Sequence, residues 1–374
     1  PHDHHLAAVA TELTVGRIEL LGLKVALAKT EAIIFGGRGW KIPAGTNIPV
    51  AGEAVQIRAN IKYLGLILDR KWNFEEHFNK LAPRVVGAAS ALSRLLPNIG
   101  GPGSLCRRLY TGVVRSMAMY GAPIWADRLS SRNRVLLRRP QRVIALRVTR
   151  AYHNVSYAAA CVLAGPWELE AVVLAERYRV RAGARARGEQ LDPEDGERAE
   201  RRALDRLKER WKDLLEDSPY GTRTIGAILP SLDQWVGRKF GVLTFRLTQV
   251  MTGHGCFGHY LHRIEREPTP VCHECGDPDD TAQHTLEVCR RWDMERQQLI
   301  IDAEIGGDLS LHNVVSAMLR GERQWETVAS FCETIMKQKE EAERVREDDV
   351  NAHPLRRRRR GRRRLQYINR LLPQ

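Results

Sequence analysis

Residues 272–289 read CHECGDPDDTAQHTLEVC and carry the strongest chemical signal in the chain. Their three cysteines and one histidine follow the spacing Cys-x2-Cys-x8-His-x4-Cys, at Cys272, Cys275, His284 and Cys289. Three thiolates and an imidazole at such spacings can close a tetrahedral zinc site. Because four protein ligands leave no coordination position open, the spacing predicts a structural rather than a catalytic Zn²⁺. The alternative interpretation is three unrelated core cysteines.

The remaining four cysteines stand apart along the sequence, at Cys106, Cys161, Cys256 and Cys332. Without a secretory signal, reduced thiols are expected, and a cluster then favours a metal over disulfides. Gly276 would relieve the tight turn after the CxxC pair. If the next segment is helical, His284 to Cys289 spans about one and a half turns. A compact zinc knuckle of this kind fits single-stranded nucleic acid.

Aromatic and basic residues flank the cluster on both sides. The arginines are candidates for nucleic-acid contact, and they are Arg263, Arg266, Arg290 and Arg291. The aromatic side chains could stack on bases. The alternative is that they form the small core beside the knuckle, and they are Phe257, Tyr260 and Trp292.

Residues 356–364 read RRRRRGRRR and hold eight arginines, in a chain whose formal net charge is +14. Such a run repels itself and is expected to be solvated. It predicts a nuclear-localisation signal or a phosphate contact, which releases condensed counterions. The alternative is a solubilising end. The candidate nucleic-acid-binding positions in this run are Arg356, Arg357, Arg358, Arg359 and Arg360.

The composition describes a folded chain of two or three domains. It has 374 residues, 43% of them hydrophobic and 28% charged, which excludes a wholly disordered chain, a collagen and a disulfide miniprotein. The sequence has no stretch of 18 uninterrupted apolar residues, so a transmembrane helix is not expected. The sequence begins at Pro1 without an initiator Met or a secretory signal, so we expect a fragment with further sequence upstream.

Hydrophobic periodicity predicts an α+β chain with its sheet near the beginning. Residues 8–25 are predicted to be helical, 31–35 to be a strand, 48–57 to be a hairpin around Ala51-Gly52-Glu53, and 61–68 to be a single strand. The later elements are predicted helices, at 74–96, 104–120, 131–164, 167–187, 196–216, 231–252, 290–303 and 311–345, with a loop at 192–196.

Motifs of a complete active site are not found. The sequence has neither GxxxxGK[ST] nor GxGxxG. Asp348-Asp349 follows Glu347 in a charged helix or tail, which gives no strand to hold a metal-binding carboxylate pair. Pro278-Asp279 is not followed by the strand and lysine that a PD…(D/E)xK nuclease motif requires. The basic helices at 131–164 and 196–216 could contact nucleic acid or could be solvated faces.

Several blocks, in order, resemble the reverse transcriptases of non-LTR retrotransposons. The first is similar to the late palm, Gly22-Leu23-x-x-Ala26-x-x-Lys29-Thr30-Glu31 with Phe35, and the next are Lys62-Tyr63-Leu64-Gly65-Leu66-x-Leu68-Asp69 and Lys71-Trp72-Asn73-Phe74-x-x-His77. The thumb-like blocks are Tyr110-x-x-Val113-x-x-Ser116 and Tyr120-Gly121-Ala122-Pro123-Ile124-Trp125. Later similarities are Thr252-Gly253-His254-Gly255 and the knuckle itself. The blocks cover roughly residues 20–300, and the chain resembles the C-terminal part of the Pol polyprotein of a type-1 element of arthropod ribosomal DNA.

This resemblance implies an RNA-directed DNA polymerase, a nucleotidyltransferase that performs target-primed reverse transcription with two Mg²⁺ ions. In the family, the catalytic carboxylates come from a strand Asp and an (F/Y)xDD turn that precede the Lys29 block. Pro1-His2-Asp3-His4 does not match that turn, so no catalytic residue is carried over. Lys29 is the candidate palm lysine near the incoming triphosphate, or else a surface lysine on a turn.

The resemblance also implies element RNA and target DNA as partners. The arginine run predicts a nuclear location, and no membrane association is expected from the hydropathy. The endonuclease of such a polyprotein is expected N-terminally, although related elements are credited with a C-terminal nuclease-associated region. The implied fold is a remnant of the palm sheet, a mostly helical thumb and linker, and a small zinc knuckle. The implied segments are 1–70 end of the palm, 71–165 thumb-like helices, 166–250 helical linker, 251–305 knuckle, and 306–374 helical segment with basic tail.

The residues taken together lead to one main hypothesis and two alternatives. The main hypothesis is a Pol fragment that binds nucleic acid through a Zn²⁺ knuckle and does not polymerise by itself. One alternative is a stand-alone zinc-dependent nucleic-acid-binding protein. The other is a structural or assembly module whose helices at 196–216 and 311–345 bind a protein partner.

Overall fold

A computed structural model describes residues 2–36, 43, 45–165, 167–189 and 193–356. Helices dominate this part of the chain, with two small sheets near its beginning, in agreement with the predicted α+β class. The helices are α1 (His2–Leu20), α2 (Glu75–Ser93), α3 (Ser104–Met119), α4 (Ala122–Trp125), α5 (Ser131–Val148), α6 (Tyr157–Ala164), α7 (Trp167–Ala186), α8 (Pro193–Glu216), α9 (Thr222–Ile228), α10 (Leu232–Gly237), α11 (Phe245–Thr252), α12 (Gly258–Arg263), α13 (Asp293–Asp302), α14 (Leu311–Met318) and α15 (Glu322–Asp348).

Five strands make the two sheets. They are β1 (Ala32–Ile33), β2 (Asn47–Val50), β3 (Glu53–Arg58), β4 (Asn60–Tyr63) and β5 (Leu66–Asp69). Strand β3 pairs antiparallel with β2 and parallel with β1, and β4 pairs only with β5. The predicted hairpin is confirmed, because Ala51 and Gly52 both take positive φ in a two-residue turn that suits strand twist.

The single strand predicted at residues 61–68 is wrong. Leu64 and Gly65 have φ of 45° and 84°, so they form a second two-residue turn and divide the segment into β4 and β5. The hydroxyl of Tyr120 donates to the Leu64 carbonyl at 2.6 Å and supports this turn. A leucine in the left-handed region gives no recognisable turn signal, which explains the error.

Several helix boundaries also differ from the predictions, and the helix predicted at 131–164 is divided between α5 and α6. Helix α8 begins at Pro193, inside the predicted loop, since proline fits the first helical position. The helix predicted at 231–252 is interrupted after α10, where Gly241 has a φ of 83°. A Cβ at Gly241 would lie 2.4 Å from Trp325 Cδ2, so this close approach requires glycine. The helix predicted at 311–345 is divided between α14 and α15 near Gly321.

Contacts divide the chain into two compact units, each built from separate stretches. Unit 1 contains Pro1–Ser90, Gly112–Gln141 and Trp167–Arg206, and unit 2 contains Ala91–Thr111, Arg142–Pro166 and Leu207–Gln374. The five sequential segments predicted above stay a prediction. Among the described residues, no helix combines the length and apolar character that crossing a membrane requires.

In unit 1, the Asp69 carboxylate organises the segment that joins β5 to α2. It accepts backbone N–H groups of Lys71, Asn73 and Phe74, the last at 2.6 Å. These bonds hold Trp72 and Phe74 at positive φ, a conformation that costs an ordinary side chain free energy. Phe74 and nearby aromatic rings then fill the core of this unit, where Phe78 and Trp125 meet edge to face at 5.1 Å.

Unit 2 is built around two tryptophans and one buried guanidinium. The ring centroids of Trp235 and Trp325 lie 5.5 Å apart. The indole N–H of Trp235 donates to the Val162 carbonyl, and that of Trp325 donates to the Val242 carbonyl. Arg107 is buried and donates to three backbone carbonyls. These acceptors belong to Pro97, Pro102 and Arg147. The guanidinium therefore connects the loop before α3 to the end of α5.

Candidate metal centre

The CxxC turn at residues 272–275 is closed by backbone hydrogen bonds. The N–H of Gly276 donates to the Cys272 carbonyl at 2.8 Å, and the N–H of Cys272 donates to the Asp277 carbonyl at 2.8 Å. Gly276 has a φ of 81°, which confirms the predicted role of glycine after the pair. The turn folds the two cysteine side chains toward the same point.

The half of the cluster that holds His284 and Cys289 is a π turn. In an α-helix, two residues five positions apart would point to different faces. Residues His284–Val288 are π-helical, and the N–H of Cys289 donates to the His284 carbonyl at 2.8 Å. A bond from residue i+5 to residue i brings both side chains to one face. The Thr281 hydroxyl accepts the His284 N–H at 2.9 Å and fixes where the turn begins.

These two turns bring the four predicted ligands together. Their Sγ and ring nitrogen atoms all lie within 4.8 Å of one another. The Cys272 and Cys289 Sγ atoms are 3.9 Å apart, and Cys275 Sγ is 3.3 Å from His284 Nε2. Tetrahedral bonds of about 2.3 Å to sulfur and 2.0 Å to nitrogen imply separations of roughly 3.5–3.8 Å between ligand atoms. The donor set and its spacing therefore fit a zinc ion.

The two buried thiols, Cys272 and Cys289, differ in the direction in which their pKa values are shifted. The contact between Cys272 and Cys289 lowers the pKa of Cys289, since it stabilises a thiolate there, and raises the pKa of Cys272. Both side chains are buried, at 1% and 0% exposure, whereas Cys275 is exposed. Because a metal needs deprotonated sulfur, the lowered pKa makes Cys289 the more readily deprotonated thiol of the pair.

Arg296 supports the second half of the cluster, a role that its place in the sequence does not indicate. The guanidinium is buried and donates to the carbonyls of Glu287 and Cys289, at the end of the π turn. It thereby satisfies two carbonyls that a short helical segment leaves without partners. Its position in α13 gave no sequence signal that distinguishes it from an ordinary exposed arginine.

A second group of possible ligands, Cys272, Glu274 and Asp280, lies beside the first. The two carboxylates of this group are already paired with a cation of the protein, because the Lys339 ammonium lies 2.8 Å from Asp280 and 3.1 Å from Glu274. Burial lowers the pKa of Lys339, but the two carboxylates outweigh it and the net shift is upward. We therefore assign Glu274 and Asp280 to the ion pair with Lys339, and place the candidate metal at Cys272, Cys275, His284 and Cys289.

The predicted arginines beside the knuckle differ in their surroundings. Arg263, Arg290 and Arg291 are exposed, and Arg266 is half-buried. The Arg291 guanidinium stacks 4.8 Å from the Trp292 ring centroid and donates to Gln338. Arg263 lies 5.3 Å from the ring centroid of Tyr260. Exposed guanidinium groups on this surface are available to phosphate.

The aromatic residues beside the knuckle belong to the core. Phe257, Tyr260 and Trp292 are exposed by only 0%, 4% and 1%. The stacking interpretation is therefore wrong for these rings, and the core interpretation is confirmed. Tyr260 also accepts a hydrogen bond from Asn154 on its hydroxyl. Burial of these rings fixes the knuckle against its neighbours.

Arg356, the first arginine of the basic run, has an internal partner. Its guanidinium pairs with Glu267, whose side chain is fully buried, and lies beside His273. Burial raises the pKa of Glu267, but His273 and Arg356 outweigh it and lower the pKa overall. Arg356 is thus a structural cation rather than a solvated one. The other four predicted positions lie outside the described residues, and they are Arg357, Arg358, Arg359 and Arg360.

Lys29 belongs to unit 1, whereas the candidate metal ligands belong to unit 2. It is exposed at the end of a short 3-10 turn, Leu27–Lys29, which the N–H of Lys29 closes by donating to Ala26. No described contact ties its ammonium to another group. Its suggested role near a triphosphate stays a prediction.

Curated proteins similar to this chain come from type-1 retrotransposable elements. The putative 115 kDa protein of element R1DM from Drosophila melanogaster is 27% identical over 296 residues, 76% of this chain and 27% of its own length. The Retrovirus-related Pol polyprotein of element R1 from Bradysia coprophila is 29% identical over 258 residues, 65% of this chain and 25% of its own length. That of R1 4 from Nasonia vitripennis is 28% identical over 272 residues, 71% and 67%. No protein-family model and no solved structure matches the chain.

The chain with the Cys3His cluster is thus a homologue of retrotransposon proteins. More particularly, it is related to the Pol polyproteins of type-1, non-LTR elements, and the resemblance seen in the sequence is confirmed. It spans about a quarter of the length of the Drosophila and Bradysia relatives.

The ligand set predicts about one zinc ion per purified chain. Cys275→Ser should lower the zinc content to near zero, because a hydroxyl replaces one of three thiolates. Cys106→Ser, outside the cluster, is the matched control and should keep the metal. Elemental analysis after dialysis against a weak chelator measures the content. A folded wild-type chain without zinc would contradict the assignment.

Proposed function

We propose that this part of the Pol polyprotein is a zinc-dependent nucleic-acid-binding region that holds element RNA or target DNA. The observation that carries the proposal is the set of exposed arginines around the knuckle. Three knuckle carboxylates, Glu267, Glu274 and Asp280, turn inward and are paired, with side-chain exposures of 0%, 10% and 3%, while Asp279 is exposed beside His259. Exposed arginines remain on the surface around them.

The guanidinium groups of two of those arginines, Arg263 and Arg290, are exposed and make no hydrogen bond or ion pair among the described residues. Arg291 is oriented by Trp292 and Gln338 and keeps its outer face in solvent. Guanidinium groups of this kind bind phosphate through paired N–H donors. Since the knuckle rings are buried, phosphate contact rather than base stacking would supply the affinity, and binding should depend strongly on salt.

The triple variant Arg263→Gln, Arg290→Gln and Arg291→Gln should bind a labelled 20-nucleotide single strand more weakly than the wild type does. The slope of log K against log salt should fall by roughly 0.7 for each phosphate that is no longer neutralised, about 2 when all three arginines are replaced. Fluorescence anisotropy over a salt series on RNA and DNA of one sequence measures both quantities.

The control is the double variant Arg323→Gln and Arg344→Gln, two exposed arginines of α15. It removes cations that lie outside the sequence segment of the knuckle, and it should leave the salt slope nearly unchanged. If the triple variant and the wild type have the same affinity and slope, the knuckle surface is not the binding site. Binding of a protein partner without nucleic-acid affinity would instead favour the assembly-module alternative.

Unit 1 offers further support for contact with a nucleic-acid backbone. A cavity of about 850 Å³ lies between the β4–β5 hairpin and helices α2 and α3. Four cationic side chains line it, at Arg58, Lys62, Lys80 and Arg84. Arg58 and Lys80 are paired with glutamates, so Lys62 and Arg84 carry its uncompensated positive charge.

We propose that this 374-residue chain binds nucleic acid without polymerising it. The proposal follows from the sequence blocks, since the family places its carboxylates before the Lys29 block and none is matched here. Purified chain given an RNA template, an annealed primer, deoxynucleotides and Mg²⁺ should not extend the primer. A reverse transcriptase under the same conditions is the positive control. Magnesium-dependent extension would show that catalytic carboxylates are present.

We also propose that the arginine run directs the chain to the nucleus. Because Arg356 pairs with Glu267, the test should begin at residue 357 and leave that pair intact. Replacing the arginines of 357–364 with glutamine should keep a fluorescent fusion in the cytoplasm, since the positive charge is removed. Replacing them with lysine keeps the charge and should preserve import. Nuclear accumulation of the glutamine variant would contradict the proposal.

A further inference from the structure

Lys339 lies in α15, fifty residues after the last predicted metal ligand, yet its ammonium is buried against the cluster. The side chain is 1% exposed and sits 5.8 Å from the Phe257 ring centroid. A lysine is rarely buried in this way unless carboxylates compensate it. Both compensating carboxylates come from the knuckle, which makes the interaction specific to the metal centre.

On one side, the ammonium holds the CxxC turn. Its Nζ is 3.1 Å from Glu274 Oε2, and Glu274 lies between Cys272 and Cys275 in the sequence. The same carboxylate oxygen is 3.4 Å from Cys272 Sγ. Lys339 therefore orients Glu274, which lies between the first two candidate ligands in the sequence and contacts Cys272.

On the other side, the ammonium holds the segment that carries the histidine. Its Nζ donates to both oxygens of Asp280, at 3.0 and 2.8 Å. Asp280 also accepts the Thr285 hydroxyl at 3.1 Å and the Gly258 N–H at 2.9 Å. Thr285 follows His284 within the π turn, so Asp280 transmits the position of Lys339 to that turn.

Charge supports the same connection. A dication bound by three thiolates and a neutral imidazole has a net charge of −1, and Glu274 and Asp280 add two negative charges beside it. Lys339 is the cation that both of these carboxylates share. Groups that orient metal ligands from outside the coordination sphere commonly change metal affinity by about 10–100-fold.

We propose that Lys339 is a positioning residue of the metal centre: one ammonium from α15 ties the CxxC turn to the histidine-bearing turn and so sets how firmly zinc is held. The knuckle then depends on α15 for its full metal affinity. The inference depends on zinc binding by the four ligands and is independent of nucleic-acid binding.

The test measures zinc transfer from the full chain to the chromophoric chelator 4-(2-pyridylazo)resorcinol, with no nucleic acid present. Lys339→Met keeps the methylene stem and removes the charge, and it should weaken zinc binding by about 10–100-fold. Lys337→Met, an exposed lysine on the same helix, should match the wild type. With saturating Co²⁺, the absorption bands of Lys339→Met should keep their positions, because the ligands themselves are unchanged.

A double variant, Lys339→Met with Asp280→Asn, covers the case in which the single variant does not fold. It removes both charges of the closest pair, which proteins tolerate better than one uncompensated charge. It should fold, by circular dichroism at saturating zinc, and still release zinc more readily. Zinc retention equal to the wild type in whichever variant folds would overturn the proposal. A wild-type chain without zinc would overturn it together with the zinc assignment, whatever the result with nucleic acid.

Discussion

The ion pair between Lys339 and Asp280 is the constraint that joins the last long helix of the described chain to the knuckle. Neither side chain exposes more than 3% of its surface. A buried pair adds little net stability, but removal of one partner costs roughly 3–5 kcal/mol because the other charge stays buried. The register of α15 is fixed by this requirement, and Arg246, paired with Glu333 and Glu340 on the same helix, adds a second fixed point.

Features that depend on neighbouring residues were predictable from the sequence. The four candidate ligands follow from spacing alone, since Cys272 to Cys289 occupy two short turns that are closed by local backbone hydrogen bonds. The first hairpin was predicted for a similar reason, because Gly52 marks a turn between apolar runs. The late-palm and thumb blocks correctly indicated the family, and their residues now have physical roles. Asp69, for example, holds the turn before α2.

Features that depend on distant partners were not predictable. Leu64 adopts a left-handed conformation that Tyr120 supports from another part of unit 1, and no local pattern announces it. Lys339 and Arg356 look like solvated cations in the sequence, because their carboxylates lie 59 and more residues away. The π turn was missed since its five-residue bond has no propensity signature that distinguishes it from an α-helix.

The two units alternate along the chain, and this order affects how they are made on the ribosome. Unit 1 is complete only when Trp167–Arg206 has been synthesised, and Ala91–Thr111 and Arg142–Pro166 of unit 2 are made before that point. Those two stretches precede Leu207–Gln374, which supplies most of their unit. Domains generally fold as units during synthesis, N-terminal first. Here neither unit can be released by a single cleavage, and the second is complete only when Leu207–Gln374 joins segments that were synthesised long before it.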